Sequence, residues 1–156
     1  MMPIDWAGWA LFGLVATAAL VGAQLAGLTR MDLPLMLGTI LVADPDRARV
    51  AGALMHLVIG QGFALGYAGT FALLGEANPL IGGALGVLHG IIALVLIVPL
   101  LPGVHPRMAS TRAGPDATAG LEPPGPLGLN YGRRTVWVTL VAHTVYGVAL
   151  GLLLAP

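Results

Sequence analysis

The residues best suited to chemistry are three histidines that lie inside long apolar stretches. His56, His89 and His143 stand in segments without Asp, Glu, Lys or Arg, and Gln24 is a polar residue in the first such segment. Neutral imidazole binds zinc, copper, nickel or iron, and it also serves as an axial ligand of haem. The pattern therefore predicts a cofactor-binding group made of His56, His89, His143 and Gln24, in which the three histidines are the candidate metal ligands. Alternatively, the histidines only bond the helices together.

Glycines accompany the histidines at helical spacing. Gly52 and Gly60 flank His56 one turn away on each side, and Gly147 follows His143 by four residues. Because residues four apart share a helix face, each of these histidines occupies a face that is cleared of side chains. Such a face suits close packing of two helix backbones, or a flat ligand such as a haem that lies on the glycines.

Four uncharged stretches must position these residues, at 6–28, 50–74, 80–101 and 136–154. Each is close to the roughly 20 residues that cross the hydrocarbon of a bilayer, where the backbone must satisfy its own hydrogen bonds as a helix. Only 9% of the 156 residues are charged, against about 25% in a soluble domain. We therefore predict an all-α polytopic membrane protein, a single domain over 1–156 built as a bundle of four transmembrane helices.

The depth of each histidine follows from the helical rise of 1.5 Å per residue. His56 and His143 come out roughly 9 and 10 Å from the edge of the spans that carries the arginines, and His89 lies roughly 18 Å deep. Gln24 lies roughly 6 Å from the same edge. Three helices can therefore bring the three histidines together in one half of the bundle.

The arginines predict the orientation. All seven basic residues are arginines, and all lie in the connections between spans one and two or between spans three and four: Arg30, Arg47, Arg49, Arg107, Arg112, Arg133 and Arg134. Basic connections stay in the cytoplasm, so we predict that both termini face outward. Seven acidic residues balance the arginines, and no global positive field favours nucleic acid.

The two long connections differ from each other. Residues 31–43 are apolar but too short to cross, and we predict an interfacial or re-entrant segment there. Residues 102–134 are rich in proline and glycine and predict an extended cytoplasmic loop. The two ends of this loop are candidates for docking on the bundle. At these ends we predict contacts with an interface or with lipid headgroups for four residues: His105, Arg107, Arg133 and Arg134.

Enzymatic activity is disfavoured by what the spans lack. The chain has no cysteine, the spans contain no carboxylate pair, and no HExxH motif is present. We predict a non-enzymatic protein without catalytic residues. An oligomeric channel or carrier for a small solute or ion is one alternative, and an accessory subunit of a larger membrane complex is another. His-x-Val-x-Gly occurs at both 56–60 and 143–147, which hints at duplication of a two-span hairpin with parallel halves.

Several short motifs together resemble a known kind of protein. They are RMDLPLMLGT at 30–39, HPRM at 105–108, NYGR at 130–133 and HTVYG at 143–147, together with the histidine of the second span. The chain resembles a group of small four-helix bacterial membrane proteins of the actinobacterial type and, more distantly, YagU-like inner-membrane proteins. The resemblance covers most of the chain outside the centre of the proline-rich loop. It implies a bacterial plasma-membrane location and the four-helix plan, and it carries no activity.

Overall fold

A computed structural model describes residues 6–109 and 120–154, and within the first helix it describes the side chains other than those of residues 19–21 and 23–25. The side chain of Gln24 and the whole of Arg112 therefore lie outside the described part. The described chain is helical, and its β-type contact is an isolated bridge between Met108 and Leu121. The prediction of an all-helical chain is confirmed for these residues.

Six α-helices and two short irregular helices make up the fold of the described residues. They are α1 (Trp6–Leu25), α2 (Leu33–Gly38), α3 (Pro45–Leu74), α4 (Pro79–Ile92), a π-helical turn (Ala93–Ile97), α5 (Val98–Val104), a 3-10 segment (Pro126–Tyr131) and α6 (Arg134–Leu153). Three helical stretches are long and apolar enough to cross a membrane: Pro45–Leu74, Pro79–Val104 and Arg134–Leu153. In α1 the described apolar stretch, Trp6–Ala18, is shorter.

Side-chain caps fix where several helices begin. Asp32, Asp44 and Asn78 precede α2, α3 and α4, and each accepts a hydrogen bond of 2.9 Å from the backbone N–H three residues later. Each cap is followed by a proline in the first turn, where a missing N–H costs nothing. Because Asp44 is such a cap, α3 begins five residues before the predicted span and carries charged residues in its first turns.

The helices pack through glycines at three interfaces. A Cβ built on Gly147 of α6 would lie 2.0 Å from the carbonyl oxygen of Gly82 in α4. A Cβ on Gly52 of α3 would lie 1.7 Å from the carbonyl oxygen of Pro34 in α2, and one on Gly60 would meet Thr17 of α1. α4 and α6, and likewise α2 and α3, therefore touch backbone to backbone, whereas α1 packs on Gly60 of α3 through the Thr17 side chain. By contrast, α3 and α4 are consecutive but hardly approach each other along their backbones.

A π-helical turn interrupts the long apolar helix just after His89. The N–H of Val98 donates to the carbonyl of Ala93, five residues back, instead of four. Pro99 follows, and its ring nitrogen has no hydrogen to continue the α-helical ladder. Turns of this type widen a helix and frequently occur at functional sites.

The two halves of the chain have similar layouts. Each half has a long helix, a short helix that contains Pro-Leu-x-Leu, and a second long helix. In the first half α2, with PLML at 34–37, packs on α3; in the second the 3-10 segment, with PLGL at 126–129, packs on α6. The two His-x-Val-x-Gly sequences thus lie on corresponding helices, α3 and α6.

Candidate functional site

A cavity of about 110 Å³ lies between α1, α3, α4 and α6. His56 of α3, His89 of α4 and His143 of α6 all line this space, which we call the histidine cavity. The remaining wall is mainly apolar and includes Ile59 and Phe63 of α3. The three histidines predicted from the sequence therefore come from three helices and face one cavity.

His89 is packed among aromatic rings. Its imidazole stacks on Phe63, with ring centroids 4.0 Å apart and planes at 30°. The ring of His143 stands edge-on to it, at a centroid distance of 4.5 Å and an angle of 77°. The hydroxyl of Tyr67 lies 3.3 Å from Nδ1 of His89. Through these contacts His89 connects α3, α4 and α6, although the backbones of α3 and α4 stay apart.

His143 is held in one ring orientation by its own helix. Its Nδ1 lies 2.8 Å from the carbonyl oxygen of Thr139. Because a carbonyl oxygen only accepts, Nδ1 carries the hydrogen and Nε2 keeps its lone pair. One turn further, Tyr146 donates its hydroxyl hydrogen to the carbonyl oxygen of Gly60, at 2.7 Å, and so ties α6 to α3.

His56 has an unsatisfied nitrogen. The residue is only 8% exposed, and its buried Nδ1 has no hydrogen-bond partner in the described part of the chain. A buried polar atom without a partner costs about 1–3 kcal/mol. Such atoms are rare in folded proteins and call for a specific explanation, of which a bound ligand is one.

The geometry limits what the histidine cavity can hold. In the described part of the chain, no three His, Cys, Asp or Glu side chains are placed so that they could hold one metal ion. Coordination by all three histidines therefore stays a prediction. Binding of a haem is not supported by the size of the cavity. Pockets for drug-sized ligands occupy about 300–1,000 Å³, whereas the histidine cavity occupies about 110 Å³.

His105 differs from the expectation of a headgroup contact. It is 3% exposed, its Nε2 donates to the carbonyl oxygen of Met36 at 2.8 Å, and its Nδ1 accepts the N–H of Arg107 at 3.1 Å. The guanidinium of Arg107 donates to the carbonyl oxygen of Thr39 at 2.6 Å. His105 and Arg107 therefore satisfy backbone carbonyls at the end of α2 and hold α2 against the bundle. This end of the proline-rich loop thus docks on the bundle and makes no headgroup contact through His105.

The other end of the proline-rich loop also docks. The side chain of Asn130 donates to the carbonyl oxygen of Pro123 at 2.8 Å. The hydroxyl of Tyr131 donates to the backbone carbonyl oxygen of Glu122. Burial, with Glu122 as a second cause, raises the pKa of the Tyr131 phenol. Arg133 and Arg134 are exposed, and their contact with lipid headgroups stays a prediction.

Sequence reasoning did not single out the aromatic residues of the site. Phe63 and Tyr67 follow His56 by seven and eleven residues, and Tyr146 follows His143 by three. These are spacings that return to the same helix face, so they carried a usable signal. Whether these aromatic residues belong to the site or only to ordinary helix packing could not be decided without knowing which helices face each other.

The fold and the cavity define a helical membrane protein in which one buried and two half-buried histidines line a small, mainly apolar cavity. Three of its helical stretches meet the length and composition of a membrane span. Comparison of the chain with models of protein families, with curated proteins and with solved structures gave no match. The case for a function therefore depends on the histidine cavity itself.

Proposed function

We propose that this chain is a non-enzymatic integral membrane protein that binds a small ligand, in the first place a transition-metal ion, in the histidine cavity. The observation that carries the proposal is that His56 lines the cavity while its buried Nδ1 has no hydrogen-bond partner among the described residues. Imidazole nitrogen is the commonest metal ligand of proteins. A bound ligand would remove the cost of the unpaired nitrogen, and histidines that only lock helices would leave it in place.

We propose that the protein lies in a bacterial plasma membrane. We propose α1 as a fourth span beside the three apolar stretches, with both termini outside. The arginines that flank α3 and α6 support a cytoplasmic position for α2 and for the proline-rich connection. In that orientation α2 forms a short interfacial or re-entrant segment at the inner end of the bundle.

Purification in mild detergent followed by elemental analysis and visible absorption tests the proposal. The expected result is a folded protein with a stoichiometric metal or an extractable small molecule. His56→Phe should lose it, and Met55→Leu, a change at the neighbouring position, should retain it. A folded, colourless preparation that contains no metal and no extractable molecule would contradict ligand binding.

A small-solute channel or carrier is the second candidate, favoured by the extent of the cavity. Its lining runs from Thr29 and Met31, beside Arg30 at the arginine-bearing end, to Phe63 in the middle of α3. Uptake into proteoliposomes of defined ions and small solutes distinguishes this function from static binding. Flux that is unchanged after His56, His89 and His143 are all replaced by alanine would count against it.

A further inference from the structure

The histidine cavity reaches the outer surface of the bundle between α3 and the π-helical turn. The backbones of α3 and α4 hardly approach each other, and the stacked rings of Phe63 and His89 bridge the gap between them. One turn before Phe63, Ile59 lines the cavity, as does Ile97 of the π-helical turn. These two side chains are nevertheless 40% and 41% exposed. The cavity therefore has a side opening, which we define by Ile59 and Ile97.

The two ends of the cavity are closed. At the arginine-bearing end Leu37 of α2 is a buried part of the lining. His105 and Arg107 hold α2 in place through its backbone carbonyls. At the other end Tyr146 is buried, and its hydroxyl donates to the carbonyl oxygen of Gly60. A molecule that approaches from water on either side therefore meets packed helices.

The side opening faces the hydrocarbon of the membrane. Ile59 and Ile97 belong to Pro45–Leu74 and Pro79–Val104, which are long and apolar enough to cross a membrane. Ile59 follows Val50, where the uncharged part of α3 begins, by nine residues. It therefore lies roughly 14 Å from that edge, close to the middle of a hydrocarbon layer of about 30 Å. This route favours molecules that dissolve in lipid over hydrophilic solutes.

One imidazole nitrogen of the lining is an available hydrogen-bond acceptor. Nδ1 of His143 donates its hydrogen to the carbonyl oxygen of Thr139, so Nε2 of the neutral ring accepts. Because Nδ1 is turned toward its own helix, the far edge of the ring, which carries Nε2, points away from α6. In the described chain Nε2 of His143 makes no hydrogen bond, yet it is not among the buried side-chain atoms without a partner, and it therefore keeps accessible surface. An acceptor in a mainly apolar lining calls for a ligand that donates, and a hydroxyl is a small neutral donor.

The volume limits how much of a ligand enters the cavity. A cavity of about 150 Å³ holds a benzene molecule, so the 110 Å³ of the histidine cavity hold a hydroxyl and about three or four carbons. The rest of a longer alkyl chain has an exit through the side opening into the lipid, where an apolar chain is favourably placed. A ligand with a polar end and an alkyl chain therefore fits, although the cavity by itself is small.

From the side opening, the acceptor nitrogen and the volume, we infer that the histidine cavity binds a membrane-soluble alcohol. The hydroxyl of the alcohol donates to Nε2 of His143, and its alkyl chain leaves between Ile59 and Ile97. This inference rests on the proposed function and names a class of small molecule, other than a metal ion, that the cavity takes from the lipid. Binding is reversible and makes or breaks no covalent bond.

The experiment is photoaffinity labelling of the full chain in liposomes. The probe is a medium-chain primary alcohol with a diazirine on its alkyl chain, which on illumination becomes a carbene and inserts into neighbouring side chains. Peptide mass spectrometry should place the label on Ile59, Phe63 and Ile97. The unlabelled alcohol should compete about tenfold better than its methyl ether at equal mole fraction in the membrane, because the ether cannot donate and one hydrogen bond contributes about that factor.

Two pairs of variants test the acceptor and the opening. His143→Phe keeps an aromatic ring but lacks Nε2, and it should weaken competition by the alcohol about tenfold. Val145→Leu, at an exposed position of the same helix, should leave it unchanged. Ile97→Trp should obstruct the side opening and largely abolish labelling of Phe63, whereas Leu96→Trp changes an exposed neighbour outside the described lining and should not. Circular dichroism checks that each variant is folded, and the comparison of alcohol and ether in the unaltered chain depends on no variant.

Three results would overturn the inference. They are equal competition by the alcohol and its methyl ether, unchanged competition in a folded His143→Phe, and labelling spread evenly over the lipid-facing side chains. If the purified chain at the same time contains a stoichiometric metal, ligand binding stands and only the alcohol is refuted. A folded chain that shows no preferential labelling and contains neither a metal nor an extractable molecule contradicts both the inference and the proposed function.

Discussion

The contact between α4 and α6 can be tested with one methyl group. Gly147→Ala adds a Cβ that would lie 2.0 Å from the carbonyl oxygen of Gly82 and 3.0 Å from the Cα of Gly86. Ordinary contact begins at 3.4 Å, so the two helices must separate locally by about 1.4 Å. Forced overpacking of this kind costs about 1–3 kcal/mol.

Gly66→Ala is the matched control. A Cβ on Gly66, which lies in the exposed part of α3, has nothing within 4 Å. Replacing glycine by alanine inside a helix is itself favourable by about 1 kcal/mol, and this gain applies to both variants. The difference in unfolding free energy between the two variants therefore isolates the packing cost, and we expect Gly147→Ala to be the less stable by about 1–3 kcal/mol.

The assay is reversible unfolding by SDS in mixed micelles, followed by far-ultraviolet circular dichroism. A Cβ on Gly86 would meet the carbonyl oxygen of His143 at 2.3 Å, so the spacing of these helices also sets the contact of His89 with His143. Gly147→Ala should therefore weaken ligand binding in the histidine cavity as well. Equal stability of Gly147→Ala and Gly66→Ala would refute the close approach of α4 and α6.

Three further predictions concern other contacts. Tyr146→Phe removes the hydrogen bond to the carbonyl oxygen of Gly60 and should lower the unfolding free energy by about 1 kcal/mol in the same assay. Arg107→Ala should release α2, seen as faster amide hydrogen exchange at 33–38, because the carbonyl of Thr39 loses its donor. Glu76→Cys, in the exposed turn after α3, should react with an impermeant maleimide added outside intact cells.

Each of these three has a result that contradicts it. Unchanged stability of Tyr146→Phe would show that the phenol does not hold α3 and α6 together. Exchange at 33–38 that rises as much in Arg134→Ala, a change of an exposed arginine, would dismiss the specific role of Arg107. Labelling of Glu76→Cys only after lysis would reverse the proposed orientation, and the absence of any other cysteine makes this result unambiguous.

Much of the helical layout could be read from composition. A stretch that contains no charge and is long enough to cross hydrocarbon must be helical, because lipid offers no partners to the backbone. The stretches at 50–74, 80–101 and 136–154 correspond to three apolar helices in the structure. The extension of α3 back to Pro45 was less evident, because Asp46, Arg47 and Arg49 look like a connection until Asp44 is recognised as a helix cap.

The sequence by itself determined where the long apolar helices lie and which few polar groups they contain, but not the helical turns at 102–104 and 126–131 inside the predicted loop. It could not determine how each helix is rotated about its axis, because in a membrane the lipid-facing and the packed side chains are both apolar. Only the tertiary structure placed Phe63 and Tyr67 against His89 and left Nδ1 of His56 without a partner among the described residues. It also buried His105 beneath α2, through bonds to a backbone carbonyl and a backbone N–H. Backbone carbonyl and N–H groups occur along the whole chain, so no residue type in the sequence identifies the partners of His105.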